Sequence, residues 1–341
     1  KLEKIYDEFN DWLWKDNSRK LQLEHEYNEI MNAIAVPTYD GSFMDMPGMA
    51  LLRGNSQFNL RQHQLNAIYR GLINGSGVYA HEVGTGKTYT MAGLAVESRR
   101  YGLAKKPLLL AFNANSASVA KEINDMYPGA KVLYIDNLDR KNIKLKLEQI
   151  RTDDWDCVVM PHSLVDKLSF KEETLMAMAE QQIYELEQAA IDAAAQDGEK
   201  ISVKQMEEMR TAGKDEKVKG VRSTTAKKLV TMRNKIINQI KQSALNASSE
   251  DAISFEDLGI DMVLVDEAHA FKKPPFATTR KIKGLTTESS NRSIQLSFIT
   301  QYIQSINNGR GVHLFTGTPI TNTLTEMYHM MRYVMPKAME D

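Results

Sequence analysis

Along most of this chain, short apolar runs bounded by turn-forming residues alternate with segments whose apolar positions step by three and four. Val78-Tyr79-Ala80, Leu108 to Phe112, Val132 to Ile135, Cys157 to Met160, Met262 to Val265 and Val312 to Thr316 are the short runs. Mostly apolar runs of this length, without polar alternation, are expected of parallel strands buried on both faces. Because such strands alternate with amphipathic helices, the pattern predicts an α/β fold, a parallel sheet with helices on both faces.

Two stretches depart from that alternation. In residues 1–56, Leu2, Ile5, Phe9 and Leu13 recur at helical spacing, and Tyr27, Ile30, Met31 and Ile34 continue in a second helical segment that Pro37 ends. From Pro37 to Asn55 the chain is rich in Gly, Met and turn formers, which predicts an irregular loop packed on the α/β body. Packing is also expected of Trp12 and Trp14, with recognition of a base or a partner as the other reading. Residues 171–254 are helical in pattern throughout. Met176, Ala179, Ile183, Leu186, Ala190 and Ala193 form one heptad-like seam, and Leu229, Met232, Ile236 and Ile240 a second. Residues 171–197 hold seven acidic residues and one lysine, whereas 214–241 hold nine basic residues and two acidic ones. Opposite charge predicts that the two arms pair as an antiparallel helical hairpin, with a short helix from Val203 to Arg210 near its tip. Lys227, Lys228 and Arg233 on the basic arm are candidates for meeting DNA or a partner; a structural hairpin whose charges satisfy each other is the alternative. The expected organisation is an N-terminal extension (1–56), an α/β lobe in two pieces (57–170 and 255–341) and a helical insertion (171–254).

Three ordered motifs lie at the ends of predicted strands. After Val78-Tyr79-Ala80 comes Val83-Gly84-Thr85-Gly86-Lys87-Thr88, and a helical pattern follows. In a strand-loop-helix unit, Gly84, Thr85 and Gly86 let successive backbone N–H groups face phosphate oxygens, and the helix N-terminus adds partial positive charge. Lys87 would reach the β- and γ-phosphates and the Thr88 hydroxyl would ligate Mg²⁺; His81 stands where this loop usually has its first glycine. Asp266 and Glu267 close the run Met262 to Val265, and carboxylates at that end of a parallel strand sit beside such a loop. Asp266 is expected to hold Mg²⁺, and Glu267 to orient or deprotonate the attacking water. His269 either couples that loop to Thr316 or Thr318 or is a packed histidine. Gly317 lies between those threonines in Leu314-Phe315-Thr316-Gly317-Thr318-Pro319-Ile320-Thr321-Asn322.

Together these motifs resemble the first RecA-like lobe of superfamily 2 helicases, and within them the SWI/SNF-type double-stranded DNA translocases, from about Phe58 to Pro336. Leu60-Arg61-Gln62-His63-Gln64 resembles the entry motif whose last glutamine reads adenine, which carries to Gln64. The loop from Ala80 to Thr88 resembles the family's phosphate loop, with His81 in place of an acidic residue. Pro107 to Phe112 resembles the next strand, with Asn113 in place of a proline, and Asp154 to Ser163 resembles the strand and loop that touch the tracking strand. Asp266-Glu267-Ala268-His269 resembles the acidic box, and Thr316-Gly317-Thr318-Pro319 the coupling motif, where RNA helicases of the DEAD-box type usually have Ser-Ala-Thr. A narrower resemblance, carried by Tyr39 to Phe43, Pro47-Gly48-Met49, Arg61 to Gln64 and Arg99 to Pro107, is to large bacterial proteins of phages and mobile elements that fuse such a helicase to an N-6 adenine DNA methyltransferase. The resemblance implies ATP and Mg²⁺ as cofactors and double-stranded DNA as partner. It further implies a second RecA-like lobe, and in the fusion proteins an adenine methyltransferase domain, outside this chain. Without a second lobe to supply arginine fingers, the chain is expected to turn ATP over very slowly. An RNA helicase lobe and a nucleotide-dependent switch or assembly module are the alternatives.

Composition bounds this reading without changing it. The 341 residues, 42% hydrophobic, allow a substantial core. Lys1-Leu2-Glu3-Lys4 has neither an initiator Met nor a signal-peptide core, so a piece of a longer protein is expected, with no membrane span. The one cysteine, Cys157, excludes a disulfide framework and points to a reducing cytoplasm. A net charge of −1 excludes a globally basic coat, so DNA contact would need a local face, for which Lys272, Lys273, Arg280, Lys281 and Lys283 are candidates.

Overall fold

The computed structural model describes residues 2–31, 37–54, 56–136, 140–211, 221–248, 252–276, 289–321 and 323–336. The chain forms two compact units, 1–40 and 41–341. In the first, α1 (Leu2–Lys15) and α2 (Asn17–Met31) pack against each other. Asp16 separates them and caps α2 by accepting the N–H groups of Ser18 (2.8 Å) and Arg19 (3.2 Å). Ile5, Phe9, Trp12 and Trp14 on α1 are all more than half exposed, and the Arg19 guanidinium lies 3.7 Å over the Trp12 ring. The burial expected of the two tryptophans is therefore not made; Ile34 lies outside the described residues.

The second unit begins with an irregular stretch containing a minimal antiparallel pair, β1 (Leu52–Arg53) and β2 (Ser56–Gln57), which the sequence pattern did not signal. There follow α3 (Gln62–Asn74), β3 (Gly77–Ala80), α4 (Lys87–Arg100), β4 (Pro107–Ala111), α5 (Ser116–Met126), β5 (Val132–Tyr134), α6 (Arg140–Thr152) and β6 (Cys157–Pro161). The insertion supplies α7 (Glu172–Gln196), α8 (Val203–Thr211) and α9 (Thr224–Ala247). The chain then returns through β7 (Met262–Val265), α10 (Asn291–Ile306), β8 (Val312–Thr316) and α11 (Thr325–Val334). Six strands pair in parallel in the order β3-β8-β7-β4-β6-β5. The expected strands shift by a residue at their ends: Phe112 falls beyond β4, where it is half exposed.

The sheet buries both faces, as the continuous apolar runs require. Along β4, Leu108 and Leu110 enter a core with Val158, Met160, Val263 and Val265, while Leu109 and Ala111 enter the other with Val159 and Leu264. That division follows from the two-residue period of a strand. Ile68, Met91, Leu94, Val119 and Ile123 of α3, α4 and α5 cover the second face; α10 and α11 lie over the first. The parallel sheet with helices on both faces is thus the RecA-like α/β arrangement.

The insertion is not a free protrusion. Its seam residues Leu186, Ala190, Leu229 and Ile236 belong to the same buried cluster as Leu108 and Val263. The arms run antiparallel: Phe170 N–H donates to Ser243 Oγ (2.8 Å), Arg233 meets Glu187, and the Glu199 carboxylate accepts the N–H groups of Arg222 and Ser223. Leu175, not Met176, is the buried residue that opens the first seam; Met176 is half exposed. Arg233 is a second correction. Its side chain is only 6% exposed and is held by Glu187 (2.8 Å) and Glu207 (3.1 Å), so the alternative reading, charges satisfying each other, describes it. Lys228 is exposed and Lys227 half-buried. The Gln239 amide donates to the Asn291 carbonyl (3.1 Å) and to Gln295 Oε1 (3.0 Å), tying α9 to α10. No helix among the described residues is long and apolar enough to cross a membrane. Cys157 is fully buried in β6, and burial pushes its thiol up to about 12.

Candidate nucleotide-binding site

Pairing of β3 with β8 puts Ala80 beside Thr316, so the loop that leaves β3 starts where the third motif begins. Gly84 (φ 84°) and Gly86 (φ 82°) both adopt the left-handed backbone that side chains resist. At Gly86, the cap of α4, a Cβ would also come within 2.3 Å of Gln64 Nε2. Gln64 is buried at the start of α3; its amide donates to the carbonyls of Thr85 (3.1 Å) and Gly86 (3.2 Å), while its Oε1 accepts the Arg61 N–H (2.8 Å). His63 Nε2 also reaches the Thr85 carbonyl, at 3.0 Å. The Thr85 hydroxyl bonds back to the Glu82 carbonyl (2.8 Å), which closes the loop on itself. Lys87 and Thr88 open α4 and are partly buried.

The acidic motif meets this loop from β7. Asp266 N–H donates to the Leu110 carbonyl (2.8 Å), continuing the sheet one residue past the strand. The Asp266 carboxyl is buried and accepts the Glu267 N–H at 3.0 Å. Burial, reinforced by the Glu267 charge, raises its pKa to about 6. Glu267 sits at φ 46°, one of two non-glycine residues with positive φ among those described. A side chain held there is strained, a feature that clusters at functional sites. The strained turn directs Glu267 Oε1 to Lys87 Nζ (3.4 Å) and Oε2 to His269 Nδ1 (3.1 Å).

His269, on the 3-10 turn Ala268–Phe271, also lies 3.3 Å from Thr316 Oγ1 through Nδ1. Thr316 is fully buried, and its hydroxyl accepts the Thr318 N–H (3.1 Å). His269 therefore meets Thr316, and Thr318 joins only through its backbone. At Gly317 a Cβ would stand 3.3 Å from Lys87 Nζ and from Val83 Cγ2. All three motifs converge on one lysine and one glutamate.

Other expected residues are placed differently. Lys272, assigned to a basic face, is committed to Glu326 (3.0 Å) and Thr321 (2.9 Å). Burial opposes ionisation of Glu326, but the Thr321 N–H, Lys272 and the Thr321 hydroxyl outweigh it and hold the carboxyl near 2. Lys273 is exposed, with its carbonyl accepting the Ser289 hydroxyl at 2.6 Å; Arg280, Lys281, Lys283 and Asn322 lie outside the described residues. His162, in the loop expected to touch a tracking strand, is buried beside Phe271 and Phe112, and burial lowers its pKa to about 4. Asn113, which replaces the expected proline, accepts the Ser163 N–H through Oδ1 (3.0 Å) and so joins the loops after β4 and β6. Sequence reasoning missed Glu326, whose only signal was its position five residues after Thr321. It named His63 without a role.

The residue set fits a nucleoside triphosphate with Mg²⁺. Among the described residues no group of three or more His, Cys, Asp or Glu could hold a metal unaided. A site offering one buried carboxylate, Asp266, and one hydroxyl, Thr88, suits Mg²⁺, which takes few protein ligands and completes its shell with phosphate oxygens and water.

A family model described as a probable helicase domain matches residues 70–341. Defense against restriction protein B of Escherichia phage P1 is 22% identical in an alignment that covers 98% of this chain and 15% of that protein, so the chain spans a small part of its relative. Among solved structures, the SWI2/SNF2 ATPase core of Sulfolobus solfataricus in complex with double-stranded DNA is similar, with 13% identity and a TM-score of 0.41. The match covers 84% of this chain and 38% of that one.

Proposed function

The chain belongs to the probable helicase domain family, and from that premise we propose that it is the ATP-binding first motor lobe of a double-stranded DNA translocase. The observation that carries the proposal is the junction of Lys87, Glu267, His269 and Thr316, each within 3.1–3.4 Å of the next. A phosphate loop alone supports nucleotide binding; its linkage to a coupling motif supports a motor.

In this reading Gly84, Thr85 and Gly86 present their N–H groups to phosphates, and Lys87 exchanges Glu267 for the β- and γ-phosphate oxygens. Thr88 and Asp266 would hold Mg²⁺, which would supply charge neutralisation at the transferred phosphoryl group. Asp266 would do so ionised, against the burial that favours its protonated form. Glu267, released by Lys87, orients or deprotonates the attacking water. His269, shared between Glu267 and Thr316, relays that change to Gly317 and Thr318. Gln64 reads adenine by exchanging one of its amide bonds to the Thr85 and Gly86 carbonyls for the base. A second RecA-like lobe supplies arginine fingers worth about 10³–10⁵ in rate where such fingers act, so the chain alone turns ATP over very slowly.

Duplex DNA is the proposed track because the coupling motif is Thr-Gly-Thr-Pro, unlike the Ser-Ala-Thr of RNA helicases. The relation to a phage protein named for defence against restriction supports a setting in mobile-element DNA modification or restriction; an adenine methyltransferase domain in a longer protein is implied by the narrower sequence resemblance alone. The test is ATP hydrolysis by the full-length protein without nucleic acid and with duplex DNA, single-stranded DNA or RNA, beside Lys87→Ala and Glu267→Gln. Stimulation by duplex DNA that both substitutions abolish is the expected result. A flat response refutes the motor, and preference for RNA refutes the track.

A further inference from the structure

We propose that His81 makes nucleotide binding proton-coupled: its imidazole is neutral while the phosphate loop is empty and takes up a proton when the polyphosphate of a nucleoside di- or triphosphate occupies it. This rests on the nucleotide-site reading above and adds to it a second, conditional cation beside Lys87.

The geometry sets His81 at the mouth of β3, where the loop usually carries glycine and where the resemblance expects an acidic residue. Its ring stands over Tyr79 (6.3 Å between centroids), Phe315 (6.4 Å) and His63 (6.0 Å), nearly perpendicular to each. The Nδ1 atom is buried and has no hydrogen-bond partner. Its carbonyl receives Lys87 Nζ at 3.5 Å, and its imidazole lies within electrostatic reach of the same lysine.

The charges around it explain why it is neutral at rest. From α3 come His63 and Arg70, the latter 5.4 Å over the Tyr79 ring; from α4 comes Lys87. On β3 there is the phenol of Tyr79, which bonds His313 of β8 at 3.1 Å. His313 is itself held neutral, its pKa lowered to about 3 first by burial. Among the carboxylates, Glu82 is exposed at the next position and Glu267 is engaged by Lys87 and His269; neither acts on the imidazole. Burial lowers the His81 pKa, and His63, Lys87 and Arg70 lower it further. His63 donates through Nε2, because its partner is a carbonyl and can only accept.

A polyphosphate reverses this balance. It brings several negative charges to Lys87 and the loop N–H groups, and opposite charge close by favours the protonated imidazole. The sign follows by linkage: a group whose pKa rises on binding strengthens binding as pH falls through its bound-state value. Affinity for the phosphate tail therefore increases from alkaline to mildly acidic pH, by up to about tenfold per unit in the window between the two values.

The experiment is calorimetric titration of the chain with ADP at pH 7 in EDTA, in buffers of widely different ionisation enthalpy, for the native protein and His81→Gln. The dependence of heat on buffer gives the protons taken up. Those exchanged by Asp266 and by the ADP phosphate are common to both proteins, so the difference isolates His81. The expected difference is roughly half a proton or more. In the native protein labelled with ¹⁵N-histidine, the imidazole assigned to His81 should move toward its protonated shift on addition of ADP, a measurement that needs no folded His81→Gln variant. Equal proton uptake by the two proteins, or an unmoved His81 signal with ADP bound, overturns the proposal while leaving the nucleotide site intact. Absence of ADP binding at every pH refutes the nucleotide-site reading and the proposal with it.

Discussion

Substituting Arg233 tests whether the insertion is a structural brace. The Arg233 side chain is 6% exposed, and Glu187, its partner at 2.8 Å, is 13% exposed. Glu207, its second partner, is 44% exposed and also bonds Arg210, so it keeps solvent and a cation when Arg233 is lost. Glu187 keeps little solvent and no other cation among its described ion pairs. Removing one member of a buried pair strands the other charge, at a cost of about 3–5 kcal/mol. Because Glu187 retains some exposure, the lower end applies, about 3 kcal/mol for Arg233→Met. In a cooperative unit of about 300 residues this corresponds to a fall of roughly 5 °C in Tm. Replacing both residues, Arg233→Met with Glu187→Met, removes the stranded charge and should restore much of the loss. Thermal and urea unfolding of the two single variants and the double variant form the cycle. A loss below about 0.5 kcal/mol in Arg233→Met, or additive losses in the double variant, would refute the buried-pair reasoning. Arg233→Glu should fail more severely, for reasons of stability and not of DNA contact.

Other outcomes follow from the same geometry. The Asp266 carboxyl, with its pKa raised from 3.8 to about 6, favours the fold when protonated and costs stability as pH rises through that window. Asp266→Asn should therefore stabilise the nucleotide-free protein at pH 7.5 by roughly 2–3 kcal/mol in urea unfolding while abolishing turnover. Gly71→Ala sets a Cβ 2.6 Å from the Tyr79 hydroxyl and 2.7 Å from Leu94. It should lower stability by about 1–3 kcal/mol, with the Tyr79–His313 bond disturbed. Gly86→Ala, strained by φ and by Gln64, should weaken ADP binding at least tenfold, as read by calorimetry, and lower stability by about 1–2 kcal/mol in urea unfolding. His269→Ala breaks the bridge between Glu267 and Thr316; DNA stimulation of ATPase should fall more than basal turnover, and equal losses would refute a relay.

The sheet was legible because burial on both faces leaves its mark in every strand: Met262 to Val265 has no polar residue to hide. That the glycine loop and Asp266-Glu267 would lie side by side was legible because both sit at the carboxyl ends of strands in one parallel sheet. Lys272 shows where that legibility stops. Its neighbours in sequence suggest a basic surface, but its charge is consumed by Glu326, which local pattern cannot connect to it. Arg233 was left between two readings for the same reason, since arm-wide charge complementarity does not tell a seam residue from an exposed one. Trp12 and Trp14 failed in the opposite sense, their helix periodicity being present without a described surface to receive it.

The strand order also bears on how the molecule is made. β3, which carries the phosphate loop, is an edge strand whose sheet neighbour is β8, with Gly77 aligned to His313. At about 5–20 residues per second on the ribosome, roughly 10–50 s separate the synthesis of those partners. During that interval the glycine loop has no sheet to hang from, and β4 likewise waits for β7 to complete its pairing. The candidate nucleotide site can therefore assemble only after β8, more than two hundred residues later in the chain, has been made.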